Sequence, residues 1–411
     1  MNIKKTSILF IFFFALSILY GKEEDKVFLM KIGDKNLKNK IMNISGGKIY
    51  SSRKGKPISL LEMVKEMEKC RFIYLGETHN NLLIHNIQLK VLHALFKKDE
   101  KLIIGLEMFP VSCQEVLNKW SLAILTQEEF VRESLWYVNW NFNFGFYEKI
   151  FTFAKENKIP LYAMNVPRSL IRKIRMKGWK GLSMEEKKLI PQPDLTHEEH
   201  RKLIRTIFES SPLPHQMKGK GLEAVFEGLY RAQSAWDEVM AHKTLQVANR
   251  ENKRMVILAG SGHLLYNLGI NYRAFERSHL PFKTLVCVEV PKGEKSIKIS
   301  RSLADFVWGF TEEEQPAFPS IGLSFKNFKG LDNLVIETQP IDGVAKNADF
   351  KKGDVILSVD GKNFFDINEL RMYLAQFKWN HEVKFRIMRN AQELEVLLKF
   401  IPQEDKLSNK H

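Results

Sequence analysis

Cysteine is scarce in this chain of 411 residues: only Cys70, Cys113 and Cys287 occur, and no two form a C-x-x-C pair. That excludes a disulfide-stapled scaffold and a zinc or redox knuckle, and leaves three buried small hydrophobes in or beside apolar runs. Neither a Walker nor a dinucleotide fingerprint is present. A nucleophile elbow is also missing, because Ser261 is flanked by Ala259 and His263 where Gly-x-Ser-x-Gly needs glycines. No internal repeat is visible. Acidic residues are in deficit, 48 against 63 Lys and Arg, giving a formal charge of +15. At 44% hydrophobic, the chain is too apolar for disorder and too long for one core, so two folded domains are expected.

Long apolar runs are lacking except at the start, where Lys4-Lys5 precede Ile8 to Tyr20. Thirteen helical residues reach only about 20 Å, short of a hydrocarbon core of about 30 Å. The expectation is a signal peptide over 1–21, cut after Gly21, and export to the periplasm or cell envelope. No cysteine near the cut offers a lipid attachment. Residues 22–47 read as a polar, loosely ordered lead-in.

From residue 48 the pattern alternates. Apolar runs at Phe72–Leu75, Leu102–Leu106, Ile159–Met164, Met255–Ala259 and Thr284–Val290 read as buried strands with helices between. This rhythm predicts an α/β domain over 48–304, with a mainly parallel mixed sheet flanked by helices. A helical lid insertion at about 168–220 breaks it, and one long helix follows over 221–251, with Tyr230, Gln233 and Asp237 on one face. An acidic, Pro-ended stretch makes 305–316 a linker. Beyond it, 317–402 predicts a small β/α domain with one helix at Ile367–Phe377, and 403–411 a tail.

Four strands hand over to polar groups at their carboxyl ends: Gly76-Glu77-Thr78-His79, Glu107-Met108-Phe109-Pro110, Asn165-Val166-Pro167-Arg168 and Gly260-Ser261-Gly262-His263. In open α/β sheets those ends converge on one crevice. Glu77, His79, Glu107 and His263 supply two imidazoles and two carboxylates. They suit a divalent metal such as Mn, Zn or Co with a carboxylate to activate its water, or metal-free acid–base catalysis by a Glu and His pair. Capping and hydrogen bonding at strand ends is the simpler alternative. His85 and His93, eight residues apart on the next helix, read as packing residues.

Basic charge concentrates at 149–220, with 16 Lys or Arg against 7 Asp or Glu. Arg168, Arg172, Lys173, Arg175, Lys177 and Lys180 form its densest cluster. Such a flank attracts an anionic small ligand or an acidic membrane surface, so peripheral membrane contact is open; nucleic acid is not expected, since no binding motif accompanies it. The aromatic run Trp136 to Tyr147 lines a pocket for a flat ligand or packs as core, and core is the simpler reading.

These motifs, with Ala232-Gln233-Ser234-Ala235-Trp236-Asp237 and Leu258-Ala259-Gly260-Ser261-Gly262-His263, resemble the ChaN-like family, which is associated with haem binding and grouped with the Tiki and TraB proteins. The resemblance runs from about Lys48 to Val290. It implies haem as the cofactor and a part in haem or iron uptake, with Tyr137, Tyr147 or Tyr230 ligating iron, lid arginines pairing with propionates, and Asn165, Arg168, Gln233 and Asp237 as further ligand contacts. A homodimer is open. Resemblance to Tiki metal-dependent proteases, with their paired Gly-x-x-His motifs, implies instead a hydrolase or peptidase using Glu77, His79, Glu107 and His263. The C-terminal block, through Ile321-Gly322-Leu323-Ser324-Phe325 and Lys352-Gly353-Asp354-Val355-Ile356, resembles a PDZ domain. That resemblance implies that Gly322, Leu323, Ser324 and Phe325 hold the C-terminus of a peptide or protein partner.

Overall fold

The structure, a computed structural model, describes residues 24–211, 220–311, 316–327 and 333–402. The expected signal segment 1–21, Pro212-Leu213-Pro214 and the acidic core of the expected linker lie outside them. In chain order the strands are β1 Ile41–Ile44, β2 Ile49–Ser51, β3 Lys56–Ile58, β4 Phe72–Glu77, β5 Leu102–Pro110, β6 Leu161–Asn165, β7 Arg254–Gly260, β8 Phe282–Glu289, β9 Ile297–Ser300, β10 Phe306–Phe310, β11 Phe325–Asn327, β12 Leu334–Ile336, β13 Val355–Val359, β14 Glu382–Arg389 and β15 Gln392–Lys399. The helices are α1 Glu24–Phe28, α2 Leu60–Met67, α3 Leu82–Phe96, α4 Gln114–Ser121, α5 Gln127–Glu133, α6 Trp136–Asn139, α7 Glu148–Glu156, α8 Arg168–Lys177, α9 Met184–Leu189, α10 Glu198–Glu209, α11 Lys220–Arg250, α12 Ile270–Ser278 and α13 Ile367–Leu374.

The chain divides into two compact units, one of residues 1–124 and 147–312 and the other of 125–146 and 313–411. The first is built on an eight-stranded sheet of order β3-β2-β10-β8-β4-β7-β5-β6. Its pairings from β10 through β6 are parallel, and β2 alone runs against the rest, pairing antiparallel with both β10 and β3. Every residue of β4 is buried, as a strand covered on both faces requires. On one face Phe72, Tyr74, Ile103 and Met255 pack with Met240 of α11. Val286, Val288 and Val307 pack on the other with Phe208 and Phe226.

The lead-in is more ordered than its polarity predicts. Val27 and Ile44 are fully buried, and β1 pairs with β9 in a separate ribbon. Val27, Phe28, Met30, Ile32, Met42 and Ile44, all buried, anchor it to the core. Part of the expected linker is likewise strand: Phe306–Phe310 is β10, parallel to β8. Only its acidic end resembled a linker. No helix among the described residues is long and apolar enough to cross a membrane.

The second unit is an antiparallel sheet of order β11-β12-β13-β14-β15 over a core of Leu334, Ile356, Phe385 and Leu398 with Leu370 and Leu374 of α13. The β14–β15 hairpin turns on Asn390 and Ala391, both at positive φ, the twist that a two-residue hairpin loop needs. That helix stops at Leu374, one turn before the expected Phe377. The aromatic segment 125–146, although inserted between α4 and α7, belongs to this unit.

Candidate functional site

Adjacent strands β4, β7, β5 and β6 bring Glu77, Gly260, Glu107 and Asn165 to one end of the parallel sheet. Glu77 pairs in register with Gly260, and the β5–β6 register slips after Leu106, where Glu107 leaves the regular ladder. His79 follows Glu77 by two residues, and its Nδ1 lies 3.0 Å from Glu77 Oε1. The Tyr147 hydroxyl donates to the same oxygen at 2.6 Å, and the Gln88 amide donates to Oε2 at 3.1 Å. Burial pushes the Glu77 carboxyl up, but His85 and His79, with the Tyr147 hydroxyl, outweigh it and hold it below the usual carboxylate range.

The second pair joins Glu107 to His263. Glu107 Oε2 accepts from the Gly260 N–H at 2.6 Å, and Oε1 is 3.3 Å from His263 Nε2. On its other side, His263 Nδ1 is 2.6 Å from Asp237 Oδ1 of α11, and the Gln233 amide is 2.8 Å from that nitrogen. Burial works against a proton on His263, yet the Glu107 and Asp237 carboxylates win and raise it to about 10. Asp237 itself is held low: burial opposes its charge, but His263, His200 and Arg273 prevail. Glycine is required where the pairs meet. A Cβ on Gly260 would stand 2.8 Å from His79 Cε1 and 3.6 Å from Glu107 Oε2, and one on Gly269 would stand 1.9 Å from the His263 carbonyl oxygen.

The four residues of the expected quartet lie at one end of the sheet, and the groups that orient them went unread in the sequence. His85, read as a packing residue, lies 3.0 Å from Gln88 Oε1 and 3.8 Å from Glu77. Its spacing of eight from Glu77 was the available signal. His93 packs with its ring tilted against Phe153, the centroids 4.1 Å apart. Asn165 donates to the Glu107 carbonyl at 3.1 Å and so braces β5. Arg168 opens α8, where the helix dipole disfavours a cation; burial lowers its guanidinium to about 10 against the pull of Glu107. In the lid cluster Lys173 is bound to Glu186, while Arg172, Lys177 and Lys180 stay exposed.

A family model described as haem-binding uptake, Tiki superfamily, ChaN, matches residues 63–274, just over half of the chain. The chain belongs to this family. Among solved structures, ChaN of Campylobacter jejuni with cofacially bound haem is 21% identical, with a TM-score of 0.51 over 66% of this chain and 96% of that one; that likeness is one of fold. A PDZ domain model matches residues 319–400. A probable periplasmic DegP-like serine endoprotease of Rickettsia prowazekii is 32% identical over 82 residues, 20% of this chain and 16% of that protein. The chloroplastic Protein RETICULATA-RELATED 5 of Arabidopsis thaliana is 27% identical over 136 residues, 31% of this chain and 18% of that protein. The chain spans less than a fifth of the length of these curated relatives.

The donor set of the ChaN-like domain does not fit a resident divalent ion. The expected metal ligands Glu77, His79, Glu107 and His263 are together, but as two hydrogen-bonded pairs, and both nitrogens of the His263 imidazolium face carboxylates. Among the described residues no group of three or more His, Cys, Asp or Glu is arranged to hold a metal.

Nor do the expected tyrosines fit haem iron. Tyr147 and Tyr230 are fully buried and Tyr137 nearly so. Tyr147 is committed to Glu77, the Tyr230 hydroxyl reaches the His197 carbonyl at 3.4 Å, and that of Tyr137 accepts from Phe144 N–H. Burial raises the Tyr137 phenol to about 12. Tyr272 of α12 differs. It is half-buried, its ring meets His197 edge-on at 4.6 Å, and its hydroxyl makes no hydrogen bond among the described residues. Phe275, one turn on, is 36% exposed, so a flat apolar ligand has both a phenol and a ring to lie against.

In the PDZ-like domain Gly322 sits at φ +75, where a Cβ would stand 2.0 Å from the Asp342 carbonyl oxygen. The N–H groups of Leu323 and Ser324 have no hydrogen-bond partner among the described residues, and Phe325 starts edge strand β11.

Proposed function

We propose that this protein binds haem at the outer face of α12 and captures a peptide or protein C-terminus with its PDZ-like domain, in the cell envelope, as part of haem or iron uptake. Family membership carries the haem reading, and Tyr272 is the residue that fits it. A half-exposed phenol can ligate iron as phenolate, as in tyrosine-ligated haem proteins, while Phe275 covers porphyrin surface. The exposed Arg172, Lys177 and Lys180 supply a basic surface that draws an anionic ligand toward the protein. Lys4-Lys5 and the apolar stretch to Tyr20 support export. The peptide reading rests on the Leu323 and Ser324 amides, which point to a carboxylate, and on an edge strand that a ligand can extend. Haemin titration followed at the Soret band tests the first half; binding of peptides with free and amidated ends tests the second.

The Glu77–His79 geometry favours a second reading, metal-free hydrolysis. The His79 side chain is 12% exposed, and Glu77 lies against its Nδ1. The outer nitrogen can then take a proton from water, with Arg168 nearby to offset developing negative charge. An aryl-ester assay on the wild type and His79→Ala would expose it.

A further inference from the structure

The face of α13 that turns toward β11 is already engaged by the chain itself. Asn368 and Arg371 lie one turn apart, and the Arg371 guanidinium is 5.9 Å from the centre of the Phe325 ring, so this face borders the strand that a peptide would extend. Both residues are spent on one main-chain unit: the Tyr137 N–H donates to Asn368 Oδ1 at 3.0 Å, and Arg371 Nη1 donates to the Tyr137 carbonyl at 2.6 Å. The segment continues along the same helix, where Asn143 Nδ2 donates to the Ala375 carbonyl at 3.0 Å. It ends at Phe146, which packs edge-on to Phe318 at 4.9 Å. Gly145 is there because a Cβ would stand 2.4 Å from that Phe318 ring. Asn368 is 1% exposed and Arg371 8%, so the helix wall is closed to outside ligands. The carboxylate cradle is not, since an internal segment has no terminus to offer and leaves the Leu323 and Ser324 amides unused.

We infer that residues 134–146 are a resident internal ligand of the PDZ-like groove, holding its helix wall by main-chain hydrogen bonds, and that an incoming peptide anchored by its terminal carboxylate must displace them. This rests on the peptide-binding reading above. Displacement exchanges like for like: a bound peptide offers Asn368 and Arg371 the same N–H and C=O groups that Tyr137 now gives. The observed affinity is then the intrinsic one reduced by the fraction of molecules whose segment is released.

The test uses the full chain, an array of peptides varied in their last four residues with free or amidated ends, and hydrogen exchange of 134–146. Asn143→Ala with Phe146→Ala loosens the segment without touching the groove; Gly145→Ala does so more mildly, at a position with ordinary φ, should the double variant fold poorly. The expected result is carboxylate-dependent binding about tenfold tighter in the variants, with faster exchange of 134–146 in the wild type when a bound peptide is added. Equal affinity in wild type and variants overturns the inference and leaves peptide binding intact. Absence of carboxylate-dependent binding in variants whose segment exchanges freely overturns both.

Discussion

The Tyr147 hydroxyl donates 2.6 Å to Glu77 Oε1, and the same oxygen lies 3.0 Å from His79 Nδ1. One buried phenol therefore fixes the carboxylate that orients the His79 imidazole. Tyr147 is one of the three tyrosines expected as iron ligands, and this bond engages its hydroxyl. Tyr147→Phe leaves Glu77 a bond short, and hydrogen bonds to charged groups are worth about 1.5–3 kcal/mol. Denaturant unfolding should show a loss of that order. In a Glu77→Gln background the same change should cost clearly less, and equal costs would mean that the two do not couple.

Stability at high pH depends on His263. Its folded value is raised to about 10 against about 6.5 unfolded, so its contribution is complete below about 6.5 and is lost as pH rises toward 10. In that window the native state holds a proton that the unfolded chain has released, giving a slope of about −1.4 kcal/mol per pH unit. His263→Ala should be less stable at pH 6 and should show a flatter decline from pH 7 to 10, by urea unfolding. A decline as steep in the variant would assign the loss elsewhere.

Gly260 is a steric requirement of the crevice. In Gly260→Ala the new methyl meets the His79 ring and pushes it off Glu77, at a cost of about 1–3 kcal/mol for overpacking. The melting temperature should fall and the His79 ring resonances should shift, while Gly76 and its neighbours in β4 keep their positions.

In the PDZ-like domain, Gly322→Ala places a side chain at φ +75 and 2.0 Å from the Asp342 carbonyl oxygen. The loop must move, and the amides of Leu323 and Ser324 lose their alignment. Binding to the free-carboxylate half of a peptide array should disappear in this variant. Retained binding would show that another part of the domain holds the peptide.

Much of the fold was readable because parallel strands buried on both faces are continuous apolar runs: Phe72–Leu75 and Met255–Ala259 announce β4 and β7 without help from periodicity. The quartet was readable for a related reason, since a charged residue ending such a run has one place to be. Other features depended on contacts far apart in sequence. Nothing local separates Tyr272, left half-exposed on α12, from Tyr230, buried on α11. The role of Tyr137 was equally hidden, because its main chain, not its side chain, carries the contact to Asn368 and Arg371, 231 and 234 positions away.

The central claim, haem at the Tyr272 face, is tested most directly by titrating the wild-type chain and Tyr272→Phe with haemin. The account predicts a saturable Soret shift and a tyrosinate charge-transfer band in the wild type, both lost in Tyr272→Phe while unfolding midpoints agree. A wild-type chain that leaves the haemin spectrum unchanged, or a Tyr272→Phe variant with the wild-type spectrum, would contradict it.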